Sequence, residues 1–509
     1  MRNSIATYTS ENRGRALLLF LLFSLAIYQF INAGFSAFAI ICISPILVLA
    51  VYAAFTYRMS AFWALIFINY FVQCFNKNQI LPHGIPISMY NELLEILLLT
   101  IAIIDARQTP HFERTANLML YALIGWCGFC TIEVLNDTCG LGINVGAWYS
   151  GARLMAFNLI YAFLVFSLYI TTPKELMNYL RFWAALSLFS VFWTYKQIHW
   201  GPTALEHQWL WNVGITTHIL NGGTLIRWFS THNDAASYGI NAAATAIVFF
   251  VIAITTKIKR DRLFFGITGA LVTWGMFQSG TRTAIFCLFA GFIVFLVLSK
   301  SVRIMVPSFI IGGIFVILLV FTNIGNGNQQ IRRMRSAFNK NDASSNVRAI
   351  NQATMKKYIK DAPWGIGIGM GMDNVPANNK FRKLATIPPD SEYVFIWLRT
   401  GPIGMTTFIV TMLMMLAGAC WITLTRLKSQ SLIGVGAGFC GAFVAFQLGA
   451  YGNQILMNFP NCLICYGGLA IVYILPFIEK DWVALEEKRL AEQQERERLK
   501  LEKKKASRV

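Results

Sequence analysis

Charge is scarce in this sequence: Lys, Arg, Asp and Glu make up 13% of its 509 residues, about half the share of soluble globular chains. A soluble protein of this length would need several water-facing surfaces, and there is too little charge here to cover them. An A-x-A cleavage site is missing after the first apolar block, so that block is expected to remain as a first helix that also targets the chain. Asp and His at metal-ligand spacing are missing too, and so are a P-loop and a nucleotide-sugar site, which leaves no metal or cofactor to expect. Matching halves with Gly/Pro-interrupted helices are also absent, which argues against an alternating-access transporter. No internal repeat is visible.

Apolar residues make up 56% of the chain, in blocks such as Ala16–Ala33, Leu263–Phe277, Ile304–Phe321 and Met405–Leu424. Each approaches the ~20 residues that cross a bilayer as a helix, the form that satisfies its own backbone in lipid. The pattern predicts an all-α polytopic membrane helix bundle of about fourteen transmembrane helices. The expected spans are 16–33, 36–55, 60–75, 89–105, 116–135, 154–170, 177–197, 236–256, 263–279, 283–299, 304–323, 402–424, 431–450 and 461–478. With the N-terminus inside, most short-loop Lys and Arg fall on one side, including Arg58, Arg107, Arg114, Lys174, Lys257 and Arg426. By the positive-inside rule both termini are then cytoplasmic. The net charge of +19 lies in connections, one large loop and the tail, which does not suit nucleic acid.

The expected layout is a transmembrane domain over 1–478, a large extracytoplasmic loop at 324–400 within it, and a charged cytoplasmic tail at 479–509. The loop holds twelve Lys/Arg and five Asp/Glu. Ser344, Ser345 and Asn346 predict a helix cap, and Val347, Ile350, Thr354 and Tyr358 an amphipathic helix stopped by Pro363. Gly365, Gly367, Gly369 and Gly371 predict a turn with close backbone approach. Residues 198–235, rich in Trp and His, are expected at the membrane interface. The tail, with eight acids and ten bases, reads as a solvated helical extension or, at Lys500–Arg508, a contact for anionic lipid. The pairs Cys127/Cys130 and Cys462/Cys465 read as packing residues one helical turn apart.

Four arginines stand at or beyond apolar edges on the predicted outer side: Arg153, Arg227, Arg282 and Arg348. Positive charge has no topological use there, and a charge near hydrocarbon usually faces a polar cavity or a partner. Guanidinium groups converging from separate helices would suit a phosphate or pyrophosphate, whereas each alone could snorkel to the interface. Asp390 and Glu392, in Pro388-Pro389-Asp390-Ser391-Glu392-Tyr393, read as a general base toward a hydroxyl or as helix N-cap residues. His232 is a further base candidate or a structural interfacial histidine.

Three stretches resemble the O-antigen ligase and O-antigen polymerase superfamily of bacterial inner membranes. Ser279-Gly280-Thr281-Arg282-Thr283-Ala284 is similar to the family's Ser-x-Ser-Arg segment. Arg348 through Pro363-Trp-Gly-Ile-Gly-Ile-Gly369 is similar to its arginine, helix and Pro-x-Gly-x-Gly. Asp390-Ser391-Glu392-Tyr393 with Gly401 and Gly404 is similar to its His-Asn-x-Tyr-Leu segment and Gly-rich helix start. Arg227 through Asn233 is similar to an upstream arginine stretch. The resemblance implies an inner-membrane glycosyltransferase with its active site facing the periplasm, using a glycan on undecaprenyl pyrophosphate and needing no metal. Carried over by position, Arg282 and Arg348 would bind the pyrophosphate; Arg227, Arg153 and His232 remain further substrate-binding candidates from the residues themselves.

Ligases of this superfamily have a histidine where this chain has Asp390. The sequence therefore favours a surface-polysaccharide polymerase that joins lipid-linked repeat units with inversion, with Asp390, Glu392 and Arg348 in catalysis. Its partners would be the lipid-linked donor and acceptor, the bilayer and a chain-length regulator, with no nucleic acid. A ligase moving finished glycan to lipid A or protein, and a flippase for the lipid-linked glycan, are the alternatives.

Overall fold

The structure, a computed structural model, describes residues 48–81, 86–105, 112–220, 223–300, 329–335 and 343–506, with isolated positions within 17–28 and 306–327. The expected spans 16–33 and 304–323, and most of 36–55, lie outside the described residues. Contacts divide the chain into Met1–Ala64 and Leu65–Val509. In the first unit, helix from residue 48 breaks at Tyr57, whose carbonyl accepts the Ser60 hydroxyl at 2.6 Å.

The helices are α1 (Arg58–Lys77), α2 (Ile87–Ile104), α3 (Leu118–Ile132), α4 (Val145–Ala152), α5 (Asn158–Tyr169), α6 (Pro173–His199), α7 (Ala204–Asn212) and α8 (Ile215–His218). After the short antiparallel strands β1 (Ile219–Leu220) and β2 (Leu225–Ile226) come α9 (Ala235–Thr255), α10 (Lys259–Gln278), α11 (Arg282–Leu298), α12 (Gln329–Arg335), α13 (Ala343–Ile359), α14 (Arg382–Thr386), α15 (Glu392–Trp421), α16 (Gln430–Gly452) and α17 (Asn461–Ala506). The protein is all-α in class. Among the described residues eight helices are long and apolar enough to cross a membrane, and α11 is apolar but shorter. The expected spans 177–197 and 263–279 fall on α6 and α10, of 27 and 20 residues. Both are long enough, but Arg181, Lys196 and the Lys259–Arg262 cluster make them more polar than the rest.

Helix α9 is the core of the bundle, buried along almost its whole length and packed on α10, α11 and α16. Lipid gives apolar side chains no reason to leave it, so such packing relies on close approach of small residues. Ala242, Ala243, Ala244 and Ala246 supply this on α9. Between α11 and α16, a Cβ at Gly441 would meet the Gly291 carbonyl at 2.6 Å.

Beyond the bundle, α13 starts at Ala343, so Ser344, Ser345 and Asn346 fall inside its first turn and not before it. The expected stripe is also rotated: Ile350 is 65% exposed, while Met355 and Ile359 are buried with Ile366, Met370, Phe381 and Leu384 in a small core. The glycine series then forms the expected tight turn. Gly365, Gly367 and Gly369 all have positive φ, and a Cβ at Gly369 would run into the Ala147 carbonyl of α4. On the other side, α15 is broken at Gly401, with φ +67°, just before Pro402. The break strands carbonyls that need donors. Ile366 N donates to Leu398 O at 2.9 Å and Gly367 N to Arg399 O at 3.0 Å, so the loop is stitched to the helix where the helix is interrupted.

The charged tail continues α17 without a break and is not merely a solvated extension. Trp482 Nε1 and Glu486 both bond Ser431 of α16, at 2.9 and 3.0 Å. Arg489 reaches buried Asp261 of α10 at 2.6 Å. The Lys500–Arg508 stretch is described only in part. Of the paired cysteines, Cys130, Cys462 and Cys465 are buried and Cys127 is half-buried; none forms a disulfide.

Candidate functional site

The starts of α9, α11 and α15 and the end of α16 meet around one cavity of about 1010 Å³. Its first wall is built on the turn between α10 and α11. Arg227, just past β2, holds that turn from one side, donating to Ser279 O at 3.3 Å, Thr281 Oγ1 at 3.1 Å and Thr217 O at 2.8 Å. Arg333 of α12 holds it from the other side, donating to Gly280 O at 2.7 Å. The Thr281 hydroxyl donates to Ala235 O at 2.8 Å and does not cap α11, whose N-terminus carries Arg282. Arg227, Arg282, Arg333 and Arg348 all line the cavity.

Their mutual influence is visible on Arg227. Its pKa is lowered to about 10, chiefly by burial, with the charges of Arg282 and Arg348 also lowering it against the pull of Asp234. Among the described residues neither Arg227 nor Arg348 forms an ion pair with a carboxylate. A clustered positive potential beside a helix N-terminus suits a polyanion.

The start of α9 is fixed by two caps and a buried lysine. Asp234 Oδ1 accepts Ala236 N and Ser237 N, each at 2.8 Å. His218 Nε2 accepts Ala235 N at 3.1 Å, which leaves the proton on Nδ1, 2.8 Å from Thr217 Oγ1. That tautomer agrees with its pKa, lowered to about 3 by burial and by Arg227 and Lys77. Lys77 Nζ lies 3.8 Å from the ring centres of Trp209 and Phe229 and donates to His232 O at 2.8 Å and Asn233 O at 2.5 Å.

A second part of the lining comes from Pro388–Phe395 and the connection between α16 and α17. Asp390 is exposed within the cavity and is not the N-cap of α15; that position is Ser391, whose hydroxyl donates to Ala450 O at 3.1 Å without capping. Glu392, 2% exposed, accepts Leu456 N on Oε2 at 2.9 Å. Tyr393 donates to Gln447 Oε1 at 2.7 Å. Asn453, Gln454 and Asn458 also line the cavity, and the start of their connection adjoins Arg348, whose Nη1 would lie 3.7 Å from a Cβ at Gly452.

Five of the seven residues expected from the sequence thus share one cavity: Arg227, Arg282, Arg348, Asp390 and Glu392. Two do not. Arg153 sits in a π-turn following α4, buried and paired at 3.3 Å with Glu92 of α2, whose other oxygen accepts Tyr149 OH at 3.2 Å. Arg153 thus forms an ion pair inside the bundle, away from the cavity. His232 is fully buried against Tyr70 and Tyr238, and burial and then Lys77 lower its pKa to about 3. It lies beneath the cavity wall and supports it. Among the described residues no three His, Cys, Asp or Glu side chains gather as metal ligands.

Sequence reasoning missed Arg333, Lys77, His218 and the three amides. Arg333 is hidden in the run Arg332-Arg333-Met334-Arg335, which reads as general basicity. The pair Asn453-Gln454 was accessible, as two amides between long apolar runs.

Residues 267–409 match the family model described as O-antigen ligase. The matched stretch contains Arg282, Arg333, Arg348, Asp390 and Glu392; Arg227 precedes it and the 453–458 connection follows it. No curated protein matches the chain.

Proposed function

We infer that this chain, related over residues 267–409 to the O-antigen ligases and polymerases, is a bacterial membrane glycosyltransferase acting on lipid-linked glycan. Its finer activity, in our reading, is that of a surface-polysaccharide polymerase working on the periplasmic side of the inner membrane. The observation that supports glycosyl transfer is the cavity itself, lined by four arginines together with Asp234, Asp390 and Glu392.

The arginine wall receives the pyrophosphate of an undecaprenyl-linked glycan. Asp390, exposed in the cavity, takes the proton of an acceptor hydroxyl. The hydroxyl oxygen attacks the anomeric carbon as the bond from that carbon to the phosphate oxygen breaks, on the opposite face, so the centre inverts. The polyprenyl diphosphate leaves with the bonding pair, its charge held by Arg282 and Arg348. Glu392 is tied to Leu456 and positions the wall instead of sharing the proton transfer. The acceptor is the non-reducing end of a second lipid-linked repeat unit.

The family description itself favours ligation as the second reading, with Asp390 in the place of the ligases' histidine. Deleting the gene and analysing glycan on undecaprenyl pyrophosphate separates the readings. Single repeat units with no long polymer anywhere are the expected result. Long polymer stranded on the carrier would make it a ligase, and repeat units trapped on the cytoplasmic face would make it a transporter.

A further inference from the structure

We propose that the connection between α16 and α17 is the acceptor subsite, where Asn453 and Gln454 grip the hydroxyls of a terminal sugar. The proposal rests on the glycosyl-transfer reading above.

Inversion requires the nucleophile to enter opposite the leaving group. The acceptor hydroxyl must also reach Asp390, which takes its proton, and Asp390 and the 453–458 connection line the same cavity. The relation between the two parts is fixed by three bonds: Ser391 Oγ to Ala450 O, Tyr393 OH to Gln447 Oε1, and Leu456 N to Glu392 Oε2. A sugar held by residues 453 and 454 is therefore held in a set position relative to Asp390.

The chemistry of the connection suits hydroxyls. A primary amide offers two donors and an acceptor, matching neighbouring sugar hydroxyls that each donate and accept. Asn453 Nδ2 is buried and has no protein partner, on a residue that lines the cavity. A buried donor left unpaired costs about 1–3 kcal/mol, which a sugar oxygen would recover. Asn458 plays a different part: its Nδ2 donates to Gln454 O at 2.8 Å and shapes the turn that presents Gln454. A volume of about 1010 Å³ is at the upper end for one drug-sized ligand, so both a diphosphate and sugar rings have room.

The test uses the full-length protein in lipid nanodiscs. The donor is the lipid-linked repeat unit extracted from a host lacking the gene, and the acceptor is the same unit freed of its lipid by mild acid. Replacing Asn453→Ala together with Gln454→Ala should raise the acceptor KM about tenfold and leave the donor KM in place. A rise in donor KM instead, or no change in either, overturns the subsite while leaving glycosyl transfer standing. If the double variant fails to fold, Gln454→Glu at that exposed position should still weaken the acceptor alone, and an unchanged acceptor KM overturns the proposal. A wild-type protein that forms no product from the lipid-linked unit overturns the transfer reading and the subsite with it.

Discussion

A guanidinium beside an apolar run is conspicuous in one dimension, but its partner is not. Arg153 and Arg348 carry the same signal in the sequence. Arg153 is neutralised by Glu92, 61 residues away, and Arg348 faces the cavity. No local pattern tells the two apart, which is why the cavity arginines were legible and the exception was not. The difference is testable. Arg348→Ala should lower transfer by roughly 10²–10³-fold, the usual effect of removing one donor from a developing anion, at normal protein abundance. Arg348→Lys should recover part of that by supplying charge without the bidentate fork. Unchanged chain length in the alanine variant would remove Arg348 from the mechanism.

The two buried histidines make a second prediction. His218 and His232 both have pKa values lowered to about 3 by burial, while an unfolded histidine titrates near ~6.5. Between those values the unfolded chain binds more protons than the folded one, so the native state loses stability as pH falls from ~6.5 toward 3. Above ~6.5 their contribution is complete. Thermal unfolding across that range should show a falling midpoint, with a shallower fall in His232→Phe. An equal slope in the variant would show that other groups cause the acid limb.

Elements were legible in proportion to their regularity. Long apolar runs specified the helices of the bundle, and alternating glycines specified a tight turn. What that turn docks against was not readable, because its partners Ala147 and Arg399 belong to other parts of the chain. The stripe of α13 was misread for a related reason. Val347, Ile350, Thr354 and Tyr358 form a valid helical face, but Met355 and Ile359 are the residues buried with Phe381 and Leu384, and of the expected face Tyr358 packs at the edge of that core. The break at Gly401 is the element on which the loop depends. Its positive φ excludes a side chain at a cost of about 1–3 kcal/mol, and a Cβ there would strike the Pro363 carbonyl. Gly401→Ala should therefore detach the loop from α15, lowering the unfolding midpoint and abolishing polymer together. A stable variant that still forms polymer would mean that the loop docks without this joint.

At the scale of the whole molecule, composition sufficed for a polytopic bundle but not for the course of its charged tail. Eight acids and ten bases over 479–509 look like a self-satisfied, solvated helix. The structure instead directs selected charges to partners far off in sequence. Asp261, with its side chain 4% exposed, receives Arg489 at 2.6 Å and Arg181 at 3.1 Å, linking α17, α10 and α6. Farther along, Lys259 meets Glu497 at 3.0 Å, where both side chains are largely exposed. The exposed pair contributes little, so the buried aspartate is the anchor. Removing it leaves two arginines facing each other without a counter-charge, a loss of about 3 kcal/mol by analogy with broken buried pairs. Asp261→Ala should then free the tail for trypsin at Arg489, while the wild-type chain resists cleavage there. Transfer in the purified variant should persist, because the cavity lies at the other end of α10 from Asp261. Equal cleavage of both proteins would return the tail to the solvated helix that its composition suggested.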